Sequence, residues 1–159
     1  MVSKILDATA FYAGLPFRSQ DTFYVTNLVY NEIQHIKKNH NAIQLLIDTK
    51  RLLIQDPNHT YVEKVKECAK KTGDLNNLSI EDISSISLSL ELGEELVTDD
   101  FAASNVAKNL GIKVIPLMTK GIKTVGKWIH YCSSCGISSK KSICIQCGNR
   151  LSRKLITEN

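Results

Sequence analysis

Five acidic side chains stand near the ends of apolar runs. They are Asp7 after "SKIL", Glu32 in "LVYNEIQHIKKN", Asp82 in "SIED", and the adjacent Asp99 and Asp100 of "LVTDD". Neighbouring carboxylates repel, so such a pair needs a compensating partner. Hard divalent cations such as Mg²⁺ and Mn²⁺ take oxygen ligands, and carboxylates drawn from separate stretches suit them. Each acid also has a plainer reading. Asp7 or Asp100 can cap a following helix. Ser79 and Asp82 have capping-box spacing, and Glu32 can be a first-turn acid favoured by the helix dipole. The set is more persuasive than its members, because all these places can share one edge of a parallel sheet. Glu32 and His35 also stand at i, i+3, as in di-iron bundles. Such a site needs a second copy, which the chain lacks.

The second chemical motif is "CSSCGISSKKSICIQCG". Cys132 and Cys135 form one C-x-x-C pair, Cys144 and Cys147 another, each followed by a glycine, Gly136 and Gly148. Two residues between thiolates let a tight turn aim both sulfurs at one ion, at about 2.3 Å per sulfur for zinc. Two such turns complete a tetrahedral Zn²⁺ shell and leave no position for reactive water, so this zinc is structural. Two disulfides are the alternative, but nothing in the sequence suggests secretion. A redox C-x-x-C needs no second copy. Cys68, the fifth cysteine, falls in a helical stretch and reads as a core residue.

Around the cysteines lie Trp128, His130, Tyr131, Lys140, Lys141, Arg150, Arg153 and Lys154. Cations neutralise phosphates and aromatic rings stack on unpaired bases, so Trp128, Lys140, Lys141, Arg150, Arg153 and Lys154 are candidate RNA contacts. For Trp128 and Tyr131 the competing reading is packing against the zinc loops. The charge distribution agrees with a polyanionic partner. Residues 1–100 carry 10 Lys and Arg against 15 Asp and Glu, whereas residues 101–159 carry 10 against one.

The elements that must position these groups alternate. "SKILDA", "FYVTN", "RLLIQ", "ELV" and "IKVIPL" read as strands. "LVYNEIQHIKKN", "NAIQLLIDT", "HTYVEKVKECAKKTG", "LSIEDISSISLSLELG" and "FAASNVAKNLG" read as helices, with Gly73, Gly93 and Gly111 as stops. In the first helix Leu28, Ile33 and Ile36 can share the apolar face, with Val29 at its edge. In the fourth, Ile80, Ile83, Leu88 and Leu92 are among the apolar residues. Alternation of this kind implies crossover connections and a parallel sheet flanked by helices, an α/β class, with sites at the carboxyl ends of strands. The chain divides into residues 1–117, a linker over 118–127, and a small cysteine-bearing unit over 128–159. No apolar stretch approaches the roughly 20 residues that span a bilayer. No signal peptide is visible, so a soluble, cytoplasmic protein with no membrane partner is expected.

"ILDATAF", "VTNLVYNEI", "LSIEDISSISLSLELG" and "LVTDDFAASNVAKNLGIKVI" together resemble a PIN domain, the metal-dependent nuclease fold, over about residues 2–117. Followed by a four-cysteine zinc ribbon, the arrangement resembles the archaeal form of the Nin-one-binding family, whose members mature the 3′ end of small-subunit ribosomal RNA. The resemblance implies an endoribonuclease whose acidic site falls on Asp7, Glu32, Asp82 and Asp100, with a weaker case for Asp99. It adds Thr9 as a small hydroxyl residue near the first acid and Asn105 as a polar residue on the last helix. It implies one or two catalytic Mg²⁺ or Mn²⁺ ions and products with 5′-phosphate and 3′-hydroxyl ends. The implied substrate is 16S pre-rRNA in the small ribosomal subunit precursor, with ribosome-assembly proteins as further partners. The chain lacks the long insertion of eukaryotic relatives. Two other readings remain at this stage: a toxin-type PIN ribonuclease, which would ordinarily lack the ribbon, and a catalytically silent RNA-binding assembly factor.

Overall fold

A computed structural model describes residues 3–36, 40–118, 125–139 and 141–157. Five short strands form one parallel sheet: β1 (Ser3–Leu6), β2 (Thr22–Val25), β3 (Leu52–Ile54), β4 (Glu95–Val97) and β5 (Val114–Ile115). Their spatial order is β3-β2-β1-β4-β5, so β1 lies at the centre, hydrogen-bonded to β2 and β4. The helices are α1 (Ala8–Tyr12), α2 (Leu15–Arg18), α3 (Asn27–Ile33), α4 (His40–Asp48), α5 (His59–Thr72), α6 (Ile80–Leu92) and α7 (Phe101–Asn109). No helix among the described residues is long and apolar enough to cross a membrane.

Alternation along each strand splits the core in two. Leu6 and Val97 point into one cluster with Phe11, Phe23, Val29 and Ile33. Ile5 and Leu96, one residue earlier, point into the other with Val65, Ile86, Leu88 and Val106. Successive strand side chains face opposite sides, so a strand buried on both faces feeds both layers.

The expected strands are all present. The helical faces needed correction. On α3 the buried residues are Val29 and Ile33, an i, i+4 pair, whereas Leu28 stays 37% exposed at the rim. On α6 every residue from Ile83 to Ser89 is buried, whereas Ile80 is 64% exposed. This helix is hemmed by α3, α5 and α7, so small serines rather than one apolar stripe fit its crowded faces. Ser87 returns its hydroxyl to the Ile83 carbonyl, 2.6 Å away. The two short helices α1 and α2 have no counterpart in the sequence reading. They are too short to show a period, and Gly14 between them adopts φ +75°.

The cysteine-bearing unit is a three-stranded antiparallel sheet of β6 (Lys127–Tyr131), β7 (Ser138–Ser139) and β8 (Ser152–Ile156), in the order β7-β6-β8. β6 starts at Lys127, one residue inside the expected linker; most of that linker, residues 119–124, lies outside the described residues, as does Lys140.

Candidate functional site

The sulfurs converge. The four Sγ atoms of Cys132, Cys135, Cys144 and Cys147 lie within 4.8 Å of one another. Two equivalent turns bring them there. Gly136 N donates to Cys132 O at 2.8 Å and Gly148 N to Cys144 O at 2.9 Å, with φ +71° and +73° at the two glycines. Those values lie in the left-handed region that glycine enters without a Cβ penalty. Cys132 and Cys147 Sγ are 3.5 Å apart, far beyond the roughly 2.05 Å of a disulfide. Two sulfurs bound to one tetrahedral Zn²⁺ would be separated by about 3.8 Å, so the donor set fits that ion. As bare thiols the sulfurs compete for protons. Side-chain bonding to Cys147 pushes Cys135 up to about 12, while backbone N–H groups of Cys147 and Gln146 draw Cys144 down to about 7.

The carboxylates come from four elements at the carboxyl edge of the large sheet. Asp7 follows β1, Asp99 and Asp100 follow β4, Glu32 rises from α3 and Asp82 from the first turn of α6. Asp7 is 7% exposed. Burial raises its pKa above the ordinary carboxylate range, only partly offset by bonds from Thr9, Thr98 and the Ala10 amide. Burial also raises Asp82, with the charges of Asp100 and Asp7 adding to it. Glu32 is raised by desolvation and then by Glu81, Asp82 and Asp7. The charges of Asp7 and Asp100 thus reach Asp82, and those of Asp7 and Asp82 reach Glu32. The acids are spread more widely than the thiolates: among the described residues only the cysteines place three or more such ligand atoms within 4.8 Å.

The capping readings hold for three acids, whereas Glu32 lies in the last turn of α3, not its first. Asp7 is the N-cap of α1, Asp100 the N-cap of α7, and Asp82 closes a capping box with Ser79 on α6. Capping and metal binding are compatible, because a carboxylate has two oxygens. Asp100 accepts from Ala103 N at 2.7 Å through Oδ1, and Asp82 accepts from Ser79 N at 3.0 Å through Oδ2. Both cap bonds of Asp7, from Thr9 Oγ1 and Ala10 N, fall on Oδ1. Each cap fixes the side chain and leaves a second oxygen directed elsewhere. Asp99 differs, since its two oxygens accept from Leu117 N and Met118 N and tie down the segment after β5.

Sequence reasoning missed two contributors. Glu81 is the largest charge effect on Glu32; its place beside Asp82 in the same first turn was the available signal. Thr98 is 1% exposed, bonds Asp7, and accepts from Asp100 N at 3.1 Å, so it links the acids after β1 and β4.

Asn105 does not join the acids. It is fully buried and pins Gly126, just before β6, to α7 and to Asp74 after α5. Its Nδ2 donates to Asp74 Oδ2 at 2.7 Å and to Gly126 O at 3.0 Å, while its Oδ1 accepts from Gly126 N at 3.0 Å. Arg153 donates to Gly73 O at 3.0 Å, lies 3.8 Å from buried Asp74, and stacks 4.2 Å from the Trp128 ring centre. Trp128 also meets Phe101. A Cβ on Gly73, which has φ +81°, would lie 2.9 Å from Trp128 Cβ. Trp128 and Arg153 are thus engaged between the two units. Lys141, Arg150 and Lys154 are exposed, Lys154 with its ammonium 5.0 Å from the Tyr131 ring centre. Beside this junction a cleft of about 610 Å³ is lined by Lys70, Lys71, Trp128 and His130.

A family model described as "PIN domain of ribonuclease" matches residues 5–92. Endoribonuclease Nob1 of Methanocaldococcus jannaschii is 35% identical over 161 residues, covering 98% of this chain and 79% of that protein. Endoribonuclease Nob1 of Pyrococcus abyssi is 32% identical over 149 residues, covering 91% and 89%. Ribonuclease VapC1 of Thermoplasma acidophilum is 32% identical over 123 residues, covering 76% and 63%.

Proposed function

We propose a substrate and a site from one premise: the chain belongs to the Nob1 family of PIN-domain endoribonucleases. The chain is a metal-dependent endoribonuclease, and its substrate is the small-subunit precursor rRNA, cut at the 3′ end of the mature 16S sequence in the cytoplasm. The observation that carries the site is the placement of Asp7, Glu32, Asp82 and Asp100, from four elements, at one edge of the parallel sheet.

Asp7, Glu32, Asp82 and Asp100 would hold one or two Mg²⁺ or Mn²⁺ ions. A bound divalent ion supplies acidified water and neutralises charge on the phosphate. The chain's own residues do the positioning. Thr9 and Thr98 orient the Asp7 carboxylate; Ser79 and the Ala103 amide fix one oxygen each of Asp82 and Asp100. Glu81 strengthens the negative field that draws in cations. Phosphate is then attacked by water, leaving 5′-phosphate and 3′-hydroxyl ends, with no protein nucleophile required. The cysteines would hold structural Zn²⁺. The 610 Å³ cleft with Lys70 and Lys71, and exposed Lys141, Arg150 and Lys154, supply cations along the RNA path. The cysteine module also favours this reading over a toxin-type ribonuclease, which would ordinarily lack it.

The experiment incubates the purified chain with Mn²⁺ and an RNA spanning the ribosomal 3′ junction, with and without chelator. Chelator-sensitive cleavage at the junction is expected. Binding without cleavage would mark a silent assembly factor, and equal cutting of unrelated messenger or transfer RNA would mark a toxin-type enzyme.

A further inference from the structure

The edge that gathers the acids continues sideways into a cleft of about 350 Å³, where β2 and β3 end. Leu28, Pro57, Val62 and Ile80 form apolar walls, and Asp56 and Lys66 carry polar groups at the lining. Its volume lies at the lower end of the roughly 300–1,000 Å³ of small-ligand sites. The cleft is contiguous with the acidic site in two ways. Leu28 and Glu32 are i, i+4 neighbours on α3, and Ile80 and Ile83 flank Asp82 on α6. The strand order puts β2 directly beside β1, which ends at Asp7.

An extended strand whose phosphate sits at the acids would therefore reach this cleft with the adjoining nucleotide. The chemistry suits that occupant. Apolar walls take a flat ring out of water, Lys66 can meet a phosphate outside, and Asp56 can accept from a base edge. The Asp56 carboxylate is already oriented, accepting from Asn27 N at 2.9 Å and Asn27 Nδ2 at 2.8 Å. Leu28 and Ile80 remain exposed to solvent at 37% and 64%, so a stacked ring has apolar surface to cover.

We propose that this cleft is a subsite for one unpaired nucleobase next to the scissile phosphate, and that it helps choose where the RNA is cut. The inference rests on RNA being the substrate, as argued above.

The test uses the full chain carrying Asp7→Asn, so that the RNA stays whole. Affinity for a short single-stranded RNA across the junction is read by fluorescence anisotropy, with one abasic nucleotide moved along the strand. One position near the scissile phosphate is expected to lose roughly tenfold in affinity, the order of a single base contact. Leu28→Ser and Ile80→Ser should each weaken intact RNA comparably and add little on RNA abasic at that position. Both residues are solvent-exposed, and thermal melts verify that the variants stay folded. An abasic scan without a sensitive position overturns the proposal. So do variants that leave RNA affinity unchanged, which would assign the cleft to a protein partner, or that weaken abasic RNA just as much. Because the readout is affinity, loss of the nuclease reading through an inactive wild-type enzyme would be seen separately, in the chelator experiment.

Discussion

Asp7, Asp82 and Asp100 cap helices, and substitutions can separate that role from the proposed metal binding. Asparagine keeps a cap acceptor but loses the negative charge an ion needs. Asp7→Asn and Asp100→Asn are expected to abolish Mn²⁺-dependent cleavage while changing unfolding free energy by less than about 1 kcal/mol. Cleavage assays and urea titrations measure the two effects. Wild-type rates in both variants would remove these residues from the site. The pH dependence follows from the raised pKa values of Asp7, Glu32 and Asp82. An acid raised by folding binds its proton more tightly in the native state. Its ionisation therefore costs stability as pH rises from the unfolded value, about 4, through the folded one, and the full cost persists above. Metal-free protein should consequently melt higher at mildly acidic pH than these groups allow at neutral pH. Mn²⁺ should raise the melting temperature most at neutral pH, where the acids are charged. Equal stabilisation by Mn²⁺ at both pH values would contradict this.

At the scale of elements, the caps and the paired turns bear most of the positioning. Ser79 holds the start of α6, accepting from Asp82 N at 3.1 Å while Asp82 returns the bond. Ser79→Ala should cost about 1 kcal/mol in urea unfolding, and lowered cleavage alongside it would show that the box also aims Asp82. The cysteine unit buries few apolar side chains; Cys132 and Cys144 are its buried residues within the core. A unit that small, with four convergent thiols, is expected to draw its stability from a bound metal. A strong zinc chelator should release one equivalent of Zn²⁺ and unfold β6–β8 while the parallel sheet persists. Amide exchange resolved along the chain distinguishes that outcome from global unfolding or from no change.

At the scale of the whole molecule, the acidic sheet edge and the basic cysteine unit are joined through a buried polar junction. Asn105 satisfies Asp74 and both backbone groups of Gly126. Removing one partner of a buried polar set leaves the others unsatisfied, at roughly 1–3 kcal/mol. Asn105→Ala should therefore lower stability by about that amount and weaken RNA binding, because the ribbon's cations lose their register with the acids. Retained affinity, measured by anisotropy at matched salt, would mean that the ribbon binds RNA independently of its docking.

The alternation of elements, the parallel class and the converging cysteine set were legible because each rests on local pattern. Side-chain period distinguishes strand from helix, and two C-x-x-C turns carry their geometry within a few residues. The acids were legible as a set only through their places at element ends. Asp99 had a weaker case than Asp100 in the sequence, and the structure separates them: Asp99 ties down the chain after β5, whereas Asp100 caps α7. The sequence could not show that Trp128 and Arg153, candidate RNA contacts, and Asn105, matched to a polar position of the family, lie together at the junction. Residues 1–159 by themselves determined which chemistries were present: hard-ion carboxylates, soft-ion thiolates and phosphate-binding cations. Tertiary structure alone decided which of these meet, because contacts between residues 31 and 80 positions apart leave no period or spacing in the chain.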